Sequence, residues 1–194
     1  MELKRICVYC ASSRICDPIY HDGAERLGRI LACAGIALVY GGGSNGSMGR
    51  LAEGALAEGG RVIGVIPKFM DELEWAHRGL SELVLVRDMH ERKRLMIAEV
   101  DAVVALPGGC GTFEELFEAI AWKRLGLFSG PIVIVNTRGY YRPCLELLES
   151  AVRERFMDER HRAIWSVVEQ PEQVLEAIRT APPWSVSNRD FAVA

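Results

Sequence analysis

Apolar residues alternate between two kinds of pattern from one end of the chain to the other. Short unbroken runs at Arg5–Cys10, Ile36–Tyr40, Arg61–Ile66, Leu83–Val86, Ala102–Leu106 and Ile132–Asn136 read as strands, with a further candidate at Ile164–Val168. Several are consecutive Val, Ile, Leu and Ala rather than an in/out alternation, which is how strands covered on both faces of a parallel sheet read. Between them the spacing becomes helical. Asp17 and Pro18 supply an N-cap and a first-turn proline, and Tyr20, Ala24, Leu27, Leu31 and Ala34 then form one stripe. Met48, Leu51, Ala52, Ala55, Leu56 and Gly59 form a second stripe. A third helix is expected from Asp88, and a fourth from Thr112 with Phe113, Leu116, Phe117, Ile120 and Ala121 on one face. Further helices are expected at Tyr140–Phe156 and Pro171–Arg179.

Strand–helix alternation of this kind implies an α/β fold: a Rossmann-like, doubly wound, mainly parallel sheet flanked by helices, in a single domain over residues 1–180. An irregular tail is expected over 181–194, where Pro182 and Pro183 interrupt any regular element. Ligands of such sheets bind outside the carboxyl ends of the strands, where the strand order reverses. The unusual loops all follow strands: Ala11 to Arg14 after the first, Gly41 to Gly49 after the second, and Pro107 to Thr112 after the fifth. All three are therefore expected to open on the same edge.

Composition narrows the function classes. The chain has 194 residues, 49% hydrophobic and 25% charged, as an ordinary globular domain does. A net charge of −3 provides no basic field for nucleic acid or anionic membrane, so a bound phosphate must be held locally. No apolar run approaches the ~18 residues needed to cross a bilayer. The N-terminal residues lack the apolar core and cleavage site of a signal peptide, and a cytoplasmic location is expected. Cys7, Cys10, Cys16, Cys33, Cys110 and Cys144 are scattered, mostly in expected core segments, and read as reduced structural thiols. Cys7 and Cys10, three apart on a strand, should face opposite ways. His21, His77, His90 and His161 do not pair at ligand spacing, so no metal is implied.

Five glycines lie between Gly41 and Gly49, between a strand and a helix. Such a turn lets backbone approach an anion that the helix start then favours by its free N–H groups and dipole. Ser44 and Ser47 are candidate extra donors. Gly41, Gly43 and Gly46 also spell a dinucleotide fingerprint, but after the second strand. No carboxylate sits about 20 residues on, where the ribose-binding acid belongs. A mononucleotide phosphate fits better than NAD, and no cofactor is expected. The second loop, Pro107 through Glu115, combines a glycine turn, a hydroxyl and two carboxylates at a helix start. Thr112 and Glu115 also have capping-box spacing, so Glu115 has both a structural and a chemical reading. In the 88–100 segment, Arg92 and Lys93 straddle the apolar stripe of Met89, Met96 and Val100, while Glu91 and Arg94 point away. Cations placed there need anions, either a structural partner or a carboxylate and phosphate in a pocket.

Pro107-Gly108-Gly109-Cys110-Gly111-Thr112-Phe113-Glu114-Glu115 matches the PGGxGTxxE motif of the LOG ("lonely guy") family. Asp88 to Lys93 resembles the family's second signature, and Tyr40 to Gly49 its first glycine loop; the likeness spans about residues 4–180. The resemblance implies hydrolysis of the base–ribose bond of cytokinin riboside 5′-monophosphates or AMP, without cofactor or metal, by a homodimer. It implies Arg92 and Glu115 as the catalytic pair. Glu74, Lys93, Gly109, Cys110, Gly111, Thr112, Phe113 and Glu114 are implied as substrate-binding. Ser12, Gly42, Gly43, Ser44, Gly46, Met48 and Gly49 are further substrate-binding candidates, with the loop from Gly42 to Gly49 expected to grip the 5′-phosphate. Cys110 stands where the family often has Tyr, and Ala121 where plant members have Thr, both departures on the base side. The chain contains only four lysines, none in a recognisable pyridoxal phosphate context, which argues against the family's older lysine decarboxylase label.

Glu115 is expected to be kept ionised by Arg92 and to act at the sugar as nucleophile, base or electrostatic stabiliser. Trp122, Leu125, Leu127 and Phe128 form an apolar cluster suited to a partner helix or to the core. The competing class is a non-catalytic nucleotide or molybdopterin-cofactor carrier, which needs a glycine loop but not the Arg92–Glu115 pair.

Overall fold

The Val/Ile/Leu/Ala runs become one parallel sheet in the computed structural model, which describes residues 2–73, 75–185, 187 and 190. The strands are β1 (Arg5–Tyr9), β2 (Ala37–Tyr40), β3 (Val62–Pro67), β4 (Glu82–Val86), β5 (Ala102–Ala105), β6 (Ile132–Val135) and β7 (Trp165–Val168). Their order is β4-β3-β2-β1-β5-β6-β7, and every pairing is parallel. The chain winds outward from β1 to β4, then returns to place β5 on the other side of β1. The switch point is therefore the crevice between β1 and β5.

Seven helices cover the sheet among the described residues: α1 (Pro18–Cys33), α2 (Gly46–Ala57), α3 (Lys68–Glu72), α4 (Met89–Ile97), α5 (Cys110–Arg124), α6 (Arg142–Arg153) and α7 (Val174–Thr180). Strand alternation sorts the core into two layers. Ile6, Val8, Leu38 and Val104 meet Leu27, Leu31, Leu51, Val174 and Ile178 from α1, α2 and α7. Cys7, Tyr9, Val39, Val65 and Val103 meet Met96, Leu116, Ile120 and Leu148 from α4, α5 and α6. Cys7 and Cys10 do fall on opposite faces. The other thiols are less enclosed than expected: Cys33 and Cys110 are exposed and Cys16 and Cys144 half-buried.

Asp17 and Asp88 cap α1 and α4, accepting from the amides of Ile19 and Glu91. The fourth long helix departs from its sequence pattern. It starts at Cys110, because Phe113 N already bonds to Gly109 O and Gly109 is the capping position. Thr112 lies inside the first turn and packs against Gly108, and Glu115 is a turn too deep to reach back. The capping-box reading of Thr112 and Glu115 is thereby replaced. The helix expected over 140–156 is confined to α6, after a 3-10 turn at Thr137–Gly139, and that expected from Pro171 begins with a 3-10 turn at Pro171–Gln173. Residues 181–185 are irregular, but Trp184 docks: its indole Nε1 donates to Lys123 O at 2.8 Å.

α1 and α2 lie against each other through glycines. A Cβ on Gly28 would stand 2.1 Å from Leu51 O, and one on Gly54 2.3 Å from Glu25 O. Gly28→Ala is expected to destabilise the fold by about 1–3 kcal/mol through overpacking. The measurement is the urea midpoint at unchanged m; an unmoved midpoint would contradict this account of the helix pair.

Candidate active site

A cavity of about 590 Å³ opens at the carboxyl ends of β1, β2 and β5. Ala11, Ser12 and Arg14 enter from the loop after β1, Gly41, Gly43, Asn45 and Met48 from the loop after β2, and Gly109 to Thr112 from the loop after β5. The three loops do share one edge. Neither α2 nor α5 has a side-chain cap. The first N–H groups of a helix have no partner within it, so those of Cys110, Gly111 and Thr112 are left to other acceptors at the cavity. Two helix starts of this sort make an electropositive pocket without a single lysine.

The first glycine loop is partly a brace. Ser44 gives both its amide and its hydroxyl to Trp75 O, His77 N bonds Gly42 O, and Gly43 bridges Ala76. Tyr40 donates its hydroxyl to Gly43 O. Ser47 is buried and its hydroxyl meets His21 Nδ1 at 3.1 Å. The two serines therefore hold the loop through these bonds. The amides of Gly46 and Ser47, in the first turn of α2, have no partner within the helix. Gly41 has a different purpose: a Cβ there would stand 2.0 Å from Arg92 Nη2.

Arg92 occupies that space. Its Nε donates to Val65 O at 3.0 Å and its Nη2 to Gly41 O at 2.9 Å. Nη1 lies 3.8 Å from Glu115 Oε1 across the cavity wall. Glu115 is 9% exposed, and burial pushes its carboxyl up to about 7, with Arg92 pulling the other way and Glu114 adding to the rise. Burial therefore outweighs the pull of the guanidinium, whose Nε and Nη2 donate to carbonyls while Nη1, 3.8 Å from Met89 Sδ, approaches the carboxyl only loosely. Lys93, the next residue, points elsewhere. Its Nζ pairs with Glu114 and, at 3.1 Å, with Glu118, which clasps α4 to α5.

Of the sequence candidates, Ser12, Gly43, Met48, Arg92, Gly109, Cys110, Gly111, Thr112 and Glu115 line the cavity. Lys93 and Glu114 form the clasp, while Phe113 stacks with Tyr140 at 6.3 Å between ring centroids. Gly42, Ser44, Gly46 and Gly49 shape the loop behind the lining, and Glu74 lies outside the described residues. The sequence reading missed Arg14 and Asn45, and an apolar wall of Ile66, Met70 and Trp75 that continues into Met89 and Met96. The methionine spacing of α4 carried part of that signal, but periodicity cannot separate a cavity wall from core.

Because Glu115 binds its proton more tightly in the folded protein than at the ordinary value of 4.5, this contribution to stability is complete below that pH and is lost as pH rises through about 7. Wild type is expected to lose about 3 kcal/mol relative to Glu115→Gln across that window. Paired denaturant titrations from pH 4 to 8 measure it, and a difference independent of pH would refute the buried-acid assignment.

A family model described as "Possible lysine decarboxylase" matches residues 48–178. A probable cytokinin riboside 5′-monophosphate phosphoribohydrolase of Oryza sativa subsp. japonica is 43% identical over 94% of this chain and 75% of its own. The cytokinin riboside 5′-monophosphate phosphoribohydrolase of Rhodococcoides fascians is 44% identical over 91% of this chain and 90% of its own. Among solved structures, the molybdenum cofactor carrier protein of Chlamydomonas reinhardtii superposes with a TM-score of 0.72 at 21% identity, covering 92% of this chain and 98% of that one, a likeness of fold. The decarboxylase description does not suit the cavity, since a pyridoxal phosphate aldehyde needs a lysine and none lines it. The similarity extends over nearly the whole chain, and the chain belongs to the LOG family of cytokinin riboside 5′-monophosphate phosphoribohydrolases.

Proposed function

We propose that this protein hydrolyses the N-glycosidic bond of an adenine-type nucleoside 5′-monophosphate, either a cytokinin riboside 5′-monophosphate or AMP. The products are the free base and ribose 5-phosphate. The observation that carries this reading is the buried Glu115 carboxyl beside Arg92, on the wall of a cavity bordered by two uncapped helix starts. Relatives 43% and 44% identical to this chain are named as cytokinin riboside 5′-monophosphate phosphoribohydrolases.

Bond cleavage develops positive charge at C1′ as the base departs, and water supplies the hydroxyl at C1′ and the proton on the base. A carboxylate beside the sugar stabilises that cation and can take a proton from the water. Arg92, fixed by two backbone carbonyls, orients Glu115. The amides of Cys110, Gly111 and Thr112 and those opening α2 suit the phosphate, whose binding energy is used for orientation. The apolar wall of Ile66, Met70, Trp75, Met89 and Met96 suits a purine face, and methionines adapt to what lies against them. A carrier would need the anion-binding loops but not a desolvated carboxyl at the far wall.

Leu125 and Leu127, just past α5, are 52% and 70% exposed, and Phe117 on α5 and Leu147 on α6, which line one groove, are exposed as well. Trp122 and Phe128, expected in the same cluster, pack on the core instead. We place a second copy of the chain on this face. Among the described residues no helix is long and apolar enough to cross a membrane, and all six cysteines are free. Free thiols suit a reducing compartment, and we assign the protein to the cytoplasm.

Incubation with AMP and with isopentenyladenosine monophosphate is expected to release free base, followed by chromatography. Glu115→Gln should lower kcat by at least about 100-fold while nucleotide still binds. Since the ionised carboxyl is the active form, kcat/KM should rise with pH through about 7. Near-full activity in Glu115→Gln would discard the assignment. Light scattering should report a dimer, and Leu127→Asp should shift it toward monomer; a monomeric wild type would exclude the paired face.

A further inference from the structure

We propose that Arg14, aimed by Asn45, is the side chain that recognises the substrate's 5′-phosphate. This rests on the hydrolase reading above and assigns a residue to the phosphate end of the same cavity.

Asn45 stands at the N-cap of α2, where an asparagine ordinarily accepts from an amide of the first helical turn. It makes no such bond. Its Oδ1 instead accepts from both Nε of Arg14, at 2.9 Å, and Nη2. The residue type suited to closing the helix start is turned outward to hold a cation beside it. The helix start stays open, and the arginine is held at its edge.

The partner is a neutral oxygen, so the contact leaves the guanidinium charge uncompensated and the Nη1 donors unused by it. A planar fork with donors to spare suits a phosphate oxygen pair. Gly46 brings the two loops together: with φ at +60°, its missing Cβ would stand 2.2 Å from Ser13 O. The backbone next to Arg14 therefore rests against the first turn of α2, where the Gly46 and Ser47 amides have no partner within the helix.

The other cations are committed. Arg92 is held by Val65 O and Gly41 O at the Glu115 end, and Lys93 is off the cavity between Glu114 and Glu118. Arg14 is the remaining cationic side chain on the lining, on the strand loop beside the switch point. This arrangement divides the cavity. The phosphate lies toward Arg14 and the helix starts, and the anomeric carbon toward Glu115.

The test compares AMP with adenosine, which lacks the anion. Arg14→Gln is expected to lower kcat/KM for AMP about 10- to 100-fold, chiefly through KM, and to shrink the AMP-to-adenosine preference by a similar factor. Arg14→Lys, keeping charge without the fork, should recover part of the loss. Asn45→Ala should lower the same preference by a smaller factor and add little to Arg14→Gln in the double variant, since Asn45 acts through the arginine. An unchanged preference in Arg14→Gln, or equal losses on both substrates, would overturn the proposal. If the wild type releases base from no nucleotide, the hydrolase reading fails. The phosphate assignment is then decided by calorimetry with ribose 5-phosphate, where weakened binding in Arg14→Gln supports it and unchanged binding overturns it.

Discussion

Glu115 is a carboxyl group taken out of water beside a guanidinium whose other donors are already committed to the backbone. Those commitments, to the carbonyls of Val65 and Gly41, join Arg92 to the end of β3 and the glycine loop after β2. Glu115 is carried by α5, after β5. One loose ion pair therefore couples strand ends on both sides of β1. Burial outweighs the pairing, and the carboxyl titrates close to neutrality. A group in that state can change its charge when a ligand arrives, which a fully exposed or tightly paired carboxylate cannot do as readily.

The surroundings keep that arrangement from collapsing. Gly41 leaves room for the guanidinium, and any side chain there would meet Nη2. Lys93, adjacent to Arg92 in sequence, ties α4 to α5 through Glu114 and Glu118, the neighbours of Glu115 on its own helix. Two adjacent cations on one helix thus have separate duties: one faces the cavity and the other fixes the distance between the helices that form it. Ser44 and the backbone of Gly42 and Gly43 are tied to residues 75–77 in the same sense, so much of the glycine loop is structural.

The anion-binding capacity comes from what is left unmade. α1 and α4 begin with aspartate caps, whereas α2 and α5 begin at the cavity with none. Omitting a cap forgoes on the order of 1 kcal/mol of helix stability, and the close packing of α2 on α1 through Gly28 and Gly54 holds α2 in place without it. An overall negative chain can in this way present a local positive site made largely of backbone.

Sequence periodicity determined the parallel sheet, its strands and the loops that share an edge, because two-sided burial leaves continuous apolar runs and helices leave stripes. It also placed Arg92 and Lys93 beside an apolar stripe, since a charged residue there breaks a local pattern, while Glu115 stood out through the glycine turn that precedes it. It could not determine the partners of those charges. Whether Lys93 meets a phosphate or Glu114, whether Thr112 caps a helix or lies within it, and whether Asn45 turns to its own helix or to Arg14 depend on groups distant along the chain. Hydrogen-bond geometry and desolvation are properties of the assembled loops, and only the tertiary structure brings residues 14 and 45, or 92 and 115, within reach of each other.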